Sequence, residues 1–353
     1  MSRAGLNRRE LWKGVVSSHE PERHTLMNVI GGLEDYDLAH LPAARLRAGV
    51  ERAWQARRKY PWCRDTPPEI FEKFVANPRI YEEPPGEDPA VFGPGPQPPT
   101  KYCHTAAGTS DAIGSWIHSR LQLRNTPAEP ELPLADLMAR GGTCREGAMI
   151  HAHLCRQAGL PARPVYVLWP TLGSWHWFTE VWSTDEQQWH AVDSANPDRP
   201  YGASWLHKVR KATTLATTGE RGGWNALRER RWEAFTNTIG IHYPNGRVCV
   251  RVTDGDHPVR DARVVTQIWL KGEVVPVLAT RTGQQGEAYL TLGPSALHPY
   301  RIVVEGSGDA PWKWLTVQSN RTCTVELDLR NASPFDKSAD PPPLEDVKGE
   351  GAK

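Results

Sequence analysis

At Pro161 the spacing of apolar residues changes, and that change restricts what this chain can fold into. Before it, apolar side chains recur at three- and four-residue steps, as on amphipathic helices. After it they alternate, as on half-buried strands. Leu41, Leu46, Val50, Ala53, Trp54 and Arg57 predict helix from Glu22 to Tyr60, ended by Pro61. Thr66 reads as an N-cap with Pro67, Pro68 and Glu69 in the first turn, opening a short helix through Ile70, Phe71, Phe74 and Val75. Residues 1–20 show no clear period and are expected to be partly ordered at best. Further helices are expected over Ser110–Leu123, Leu134–Met138 and Cys144–Gln157, the last ended by Gly159.

Past Pro161, Arg163–Leu168, Trp175–Trp182 and Gln188–Val192 read as strands, the last two joined as a hairpin through Asp185-Glu186-Gln187. The expected class is therefore α+β, a helix packed on an antiparallel sheet. Residues 204–238 read as helical. From Asn245-Gly246 onward, seven short strand patterns separated by turn signals such as Asp254-Gly255 and Lys271-Gly272 predict a small β-sandwich. The division follows: a helical N-terminal region, 1–81; a Pro/Gly-rich linker or functional loop, 82–100; a core, 101–240; the sandwich, 245–330; and a disordered tail, 331–353.

A length of 353 residues suits two or three domains, and 39% apolar with 24% charged residues suits a soluble globular protein. The net charge of +1 provides no surplus to neutralise phosphates, so nucleic acid is not an expected partner. No apolar run reaches the roughly 20 residues of a membrane span, and no apolar leader follows the charged N-terminus. No membrane partner and a cytoplasmic location are expected; the oligomeric state is open. The six cysteines are dispersed without a CxxC pair, so neither a zinc cage nor a disulfide framework is expected, and no cofactor. His151 and His153 point to different faces of a helix, which disfavours a shared metal. Cys249 and Cys323 could face each other in the sandwich, as a reduced pair.

Chemistry is suggested by Gly141-Gly142-Thr143-Cys144-Arg145-Glu146, which puts a cysteine where a helix begins. An ordinary thiol, with a pKa of about 8.5, is mostly protonated at neutral pH; a helix N-terminus and a neighbouring imidazolium both favour the thiolate. His176 sits mid-strand and Asp193 ends the next strand of the hairpin. Cys144, His176 and Asp193 thus read as nucleophile, base and the acid that orients the base. Glu146 reads as a structural charge in the first turn. Backbone N–H of Cys144 is one oxyanion donor, and Ser115, Trp116 or His118 could supply a second. Trp175, Trp177 and Phe178 are candidates to line a substrate, although packing is the commoner role for such aromatics.

As a set, three motifs resemble the transglutaminase-like superfamily. They are the G-x-C-x-E turn at Gly142–Glu146 with Arg156-Gln157-Ala158-Gly159-Leu160-Pro161-Ala162-Arg163, then His176-Trp177-Phe178-Thr179-Glu180-Val181-Trp182, then Trp189-His190-Ala191-Val192-Asp193. Phe178 stands where the family usually has Trp, and Ser194 where Pro or Ala-like residues are common. Arg47–Val75 is similar to the helical region before the core in some bacterial members. Val252–Gly255, Pro258–Ala262, Thr280–Ala288 and Tyr300–Val304 resemble a carboxypeptidase-regulatory-like or transthyretin-like β-sandwich.

The resemblance implies a papain/transglutaminase-like core and a cysteine acyl-transfer enzyme. Its partner would be a peptide, protein or small-molecule amide or thioester. The acyl group would pass to water, making an amidase or peptidase, or to an amine, making a transamidase or amide-forming enzyme; hydrolysis is the favoured branch. The rivals are an inactive scaffold that binds a peptide or glycan, and a peptide-N-glycanase-like deglycosylase.

Overall fold

The computed structural model describes residues 3–33, 35–80, 103–124, 134–169, 174–196, 215–218, 236–270, 272–295, 299–305, 310–331 and 341. The loop expected at 82–100 lies outside them, as does nearly all of the expected tail. The chain divides into two compact units, Met1–Tyr166 with Trp177–Ser204 and Gly219–Arg230, and Val167–His176 with Trp205–Thr218 and Arg231–Lys353.

The first unit opens with helices α1 (Arg3–Val16), α2 (Glu22–Gly31), α3 (Asp35–His40), α4 (Ala43–Lys59), α5 (Pro61–Arg64) and α6 (Pro68–Phe71), the last running into a π-helical turn, Glu72–Ala76. The expectation that residues 1–20 are poorly ordered is corrected by α1. Its Leu11 and Val15, one turn apart, are both buried; amid so many charged neighbours that pair is too short a signal to show as a period. The single helix expected from Glu22 to Tyr60 is three, because Gly31-Gly32 ends one and Pro42 precedes another. Leu46, Val50 and Ala53 do form the buried stripe of α4. Pro61 ends that helix and begins the next, where its missing N–H costs nothing. Thr66 does not cap α6: Pro67 holds that position, and the Thr66 hydroxyl bonds the Trp62 carbonyl.

Next come α7 (Ala106–His118), capped by the Thr105 hydroxyl on Gly108 N at 3.0 Å, then α8 (Leu134–Arg140) and α9 (Cys144–Gln157). Gly159, at φ +75°, ends the α9 region; a Cβ there would lie 2.8 Å from Ala56 Cβ and 3.2 Å from Cys63 Cβ, so only glycine allows α4 and α5 so close. Strands β1 (Ala162–Trp169), β2 (Ser174–Ser183), β3 (Gln188–Val192), β4 (Leu215–Thr218) and β5 (Thr236–Asn237) form a sheet of order β3-β2-β1-β4-β5. β2 and β3 are the expected hairpin, with Thr179 opposite Val192 and Trp182 opposite Trp189. The helical reading of 204–238 is corrected where the chain is described, since β4 and β5 are strands; Leu215–Thr218 is too short to show alternation.

The second unit continues with a short helix, Ile239–His242, and strands β6 (Gly246–Asp254), β7 (His257–Pro258), β8 (Arg263–Leu270), β9 (Glu273–Arg281), β10 (Glu287–Leu292), β11 (Tyr300–Glu305), β12 (Trp312–Leu315) and β13 (Thr322–Asp328). They make two four-stranded sheets, β10-β6-β13 with β7 on β6, and β12-β11-β8-β9. All described pairings are antiparallel except β13 with β6. Val248, Val250 and Val252 are wholly buried and so share the inward face of β6. The two cysteines do not face each other. Cys323 pairs in register with Val248 and Cys249 with Thr324, which puts the thiols on opposite faces. The architecture is α+β.

Candidate active site

The approach to Cys144 depends on two glycines. Gly141 sits at φ +80°, and a Cβ there would lie 2.4 Å from the Gln122 carbonyl. Gly142 N donates to that same carbonyl at 3.0 Å, and Arg124 N donates to Gly142 O at 2.8 Å, so the turn is pinned beside the segment that follows α7. A Cβ on Gly142 would lie 2.6 Å from Cβ and Cγ of Glu146, which explains the second glycine.

Thr143 is the N-cap of α9, its Oγ1 accepting from Arg145 N at 3.2 Å. Glu146 closes the reciprocal half. Its carboxylate accepts from Thr143 N at 2.6 Å and Thr143 Oγ1 at 2.7 Å, and pairs with the Arg145 guanidinium at 2.7 Å. Burial alone would raise the Glu146 pKa, but these Thr143 and Arg145 contacts together hold it below the usual carboxylate value. The Glu146 charge is thereby spent on its neighbours, and the field of the helix N-terminus is left for Cys144. That cysteine is the first residue of α9, half-buried and a free thiol.

The sheet is docked onto this helix through Thr179, whose hydroxyl donates to Ala148 O at 3.1 Å. β1 and β2 are further joined by a buried ion pair, Arg163 Nε to Glu180 Oε2 at 2.6 Å. β3 leads directly into Asp193, which is 2% exposed and accepts from Ala195 N at 3.1 Å. Ala195 N lies 4.0 Å from where a Gly147 Cβ would stand. Gly147 is one turn beyond Cys144, so the acid's loop passes the first turns of the nucleophile's helix.

His176 is half-buried on β2 and stacked on Trp169, ring centroids 5.4 Å apart, within the second unit. Of the aromatics expected near a substrate, Trp175 is 48% exposed, while Trp177 and Phe178 are buried and Trp177 packs against Tyr166. Among the oxyanion candidates, Ser115 and His118 are exposed and Trp116 lies under the Arg120 guanidinium at 4.9 Å. The α7 face turned toward α9 carries Ser110 and Gly114 instead.

Sequence reasoning missed the buried polar group formed by His151, Ser194 and Ser110. The available signal was the seven-residue step from Cys144 to His151, which returns to the same helix face. Among the described residues no cluster of three metal-ligating side chains occurs. An open cleft of about 420 Å³, lined by Arg45, Ala53, His153 and Arg156 among others, lies at the far end of α9 from Cys144.

Residues 98–194 match the sequence model of the transglutaminase-like superfamily. Two solved structures resemble the chain at low identity. One is a candidate cysteine protease from Cytophaga hutchinsonii, 21% identical over 25% of this chain and 31% of that one, with a TM-score of 0.22. The chain thus spans about a third of that protein's length. The other is Legionella pneumophila LapG, 14% identical over 51% of this chain and 95% of that one, with a TM-score of 0.27. Curated proteins return no match.

Proposed function

Because residues 98–194 carry a transglutaminase-like domain, we propose that the chain is a cysteine-dependent acyl-transfer enzyme with Cys144 as nucleophile, His176 as base and Asp193 as the acid that orients it. The family match supports an enzyme built on cysteine chemistry. The observation that carries the finer reading is the construction around Cys144, a half-buried thiol on the first residue of a helix whose first-turn carboxylate, Glu146, is paired with Arg145.

The Cys144 thiolate attacks the carbonyl carbon of an amide or thioester. The resulting oxyanion is met by N–H groups at the start of α9. Collapse expels the amine, which takes a proton from the His176 imidazolium, or the thiol, and leaves a thioester on Cys144. Water, giving up a proton to His176, then releases the carboxylic acid and restores the thiol; an amine in place of water yields a new amide. Hydrolysis is the branch proposed, on a peptide or protein amide.

The test is alkylation of Cys144 by iodoacetamide at pH 6, with Cys144→Ala as background. Cys144 is expected to react at least about tenfold faster than free cysteine, as a nucleophile paired with an imidazolium does. A rate equal to that of free cysteine sinks the proposal. Mass spectrometry of the wild type after incubation with native extract should in addition show an acyl adduct on Cys144 that the Ala variant lacks.

A further inference from the structure

We propose that His151 is a positioning residue for the Cys144 reaction, a buried imidazole that ties the loop bearing Asp193 to the helix bearing Cys144. The inference rests on the reading of Cys144 and Asp193 as catalytic.

His151 is wholly buried on α9, seven residues beyond Cys144. Two turns of helix are about 10 Å, and a base must come within about 3 Å of the proton it takes, so His151 is not the base. Its ring is held from two sides. Nδ1 meets the Ser194 hydroxyl, and Nε2 lies 3.2 Å from the Ser110 hydroxyl on α7. Gly114 of α7 lies beside the ring, where a Cβ would stand 3.6 Å from His151 Cε1, an ordinary van der Waals contact. With the proton on Nε2, toward Ser110, the Nδ1 lone pair accepts from Ser194.

Ser194 directly follows Asp193, and Ala195 N donates back to the Asp193 carboxylate. The loop 193–195 therefore passes Gly147 and is tied to α9 by the Ser194–His151 bond two turns below Cys144. The titratable groups facing the ring are Asp193 and, beside Ser110, Cys155, whose thiol burial raises and so keeps neutral. Among the described residues, Asp193 is the charge that acts on the ring. A protonated His151 would draw that charge toward itself, whereas the neutral ring leaves it for the base. Loosening the loop should weaken the hold of Asp193 on the imidazolium and, through it, the thiolate.

The experiment is the iodoacetamide rate of Cys144 from pH 5 to 9 in wild type, Ser194→Ala, His151→Phe and His151→Asn, each checked by circular dichroism and thermal melting. Asn keeps an acceptor for Ser194 near the Nδ1 position. Ser194→Ala and His151→Phe are expected to shift the profile upward by about one pH unit, roughly a tenfold slower rate at pH 6, with His151→Asn within about threefold of wild type. Should His151→Phe fail to fold, Ser194→Ala, the smaller change, decides. A folded Ser194→Ala with the wild-type profile overturns this inference alone. A wild-type Cys144 that reacts like free cysteine overturns it together with the acyl-transfer reading.

Discussion

Glu146 shows how much one side chain can settle. Its carboxylate satisfies two donors of Thr143 and the guanidinium of Arg145 while wholly buried, so α9 begins at Cys144 and nowhere else. Glu146→Gln keeps one acceptor oxygen but loses the charge, leaving Arg145 without its acid and Thr143 with a weaker bond. We expect a loss of about 2–3 kcal/mol in urea unfolding, the cost of removing a charged, buried hydrogen-bond partner. A midpoint unchanged from wild type would show that the cap contributes nothing. The role of Glu146 was legible in the sequence because a cap is local chemistry: the glycines, the threonine and the acid three residues on are adjacent in the chain. His151 was not. Its partners Ser110 and Ser194 lie 41 and 43 residues away, and only the packing of α7 and the loop after β3 brings them to it.

Among the elements, β1 and β2 are held by an interaction of higher risk than a cap. Arg163 and Glu180 are both almost completely buried, and the guanidinium also lies 4.0 Å from the Trp189 ring and 5.4 Å from that of Phe74. An ion pair taken out of water recovers its desolvation only while both partners remain. Glu180→Ala is therefore expected to cost about 3–5 kcal/mol, and adding Arg163→Met should restore part of that loss. Denaturant unfolding of the four chains of the cycle measures it; a double variant less stable than Glu180→Ala would refute the argument. These strands were legible because β-branched and aromatic residues crowd both of them, and burial runs almost unbroken through β1. Short pieces were not: among its described side chains α1 buries Leu11 and Val15 as an evident pair, and β4 has four residues. The breaks within Glu22–Tyr60 were legible in principle, as Gly31-Gly32 and Pro42, but the apolar stripe of α4 masked them when extended backward. Which sheet face buries Cys249 and Cys323 depends on register, and the sequence has no signal for a parallel pairing of β13 with β6.

For the whole molecule, 42 basic residues against 41 acidic ones leave little net repulsion near neutrality, so the pH dependence of stability there is governed by individual groups. His151 is one of them on the acid side. Unfolded it titrates near 6.5; folded, burial pushes it down to about 4, against the opposing pull of the Ser110 carbonyl and Asp193. Between those values the unfolded chain binds a proton that the folded chain refuses, so stability falls as pH falls through that window, by about 3 kcal/mol at its lower end. Glu146 acts in the same direction further down. Its folded pKa is depressed, so its contribution is present above the ordinary 4.5 and disappears as pH falls through the folded value. The two windows separate the groups. Between pH 7 and pH 5 the wild type should lose stability that His151→Asn does not, because Asn has nothing to protonate. The other twelve histidines are common to both chains, so the comparison isolates His151. Urea midpoints of the two proteins at pH 7 and pH 5 measure the difference; an equal loss in both would mean that His151 takes up its proton in the folded state as readily as in the unfolded one, which its burial between Ser110 and Ser194 argues against.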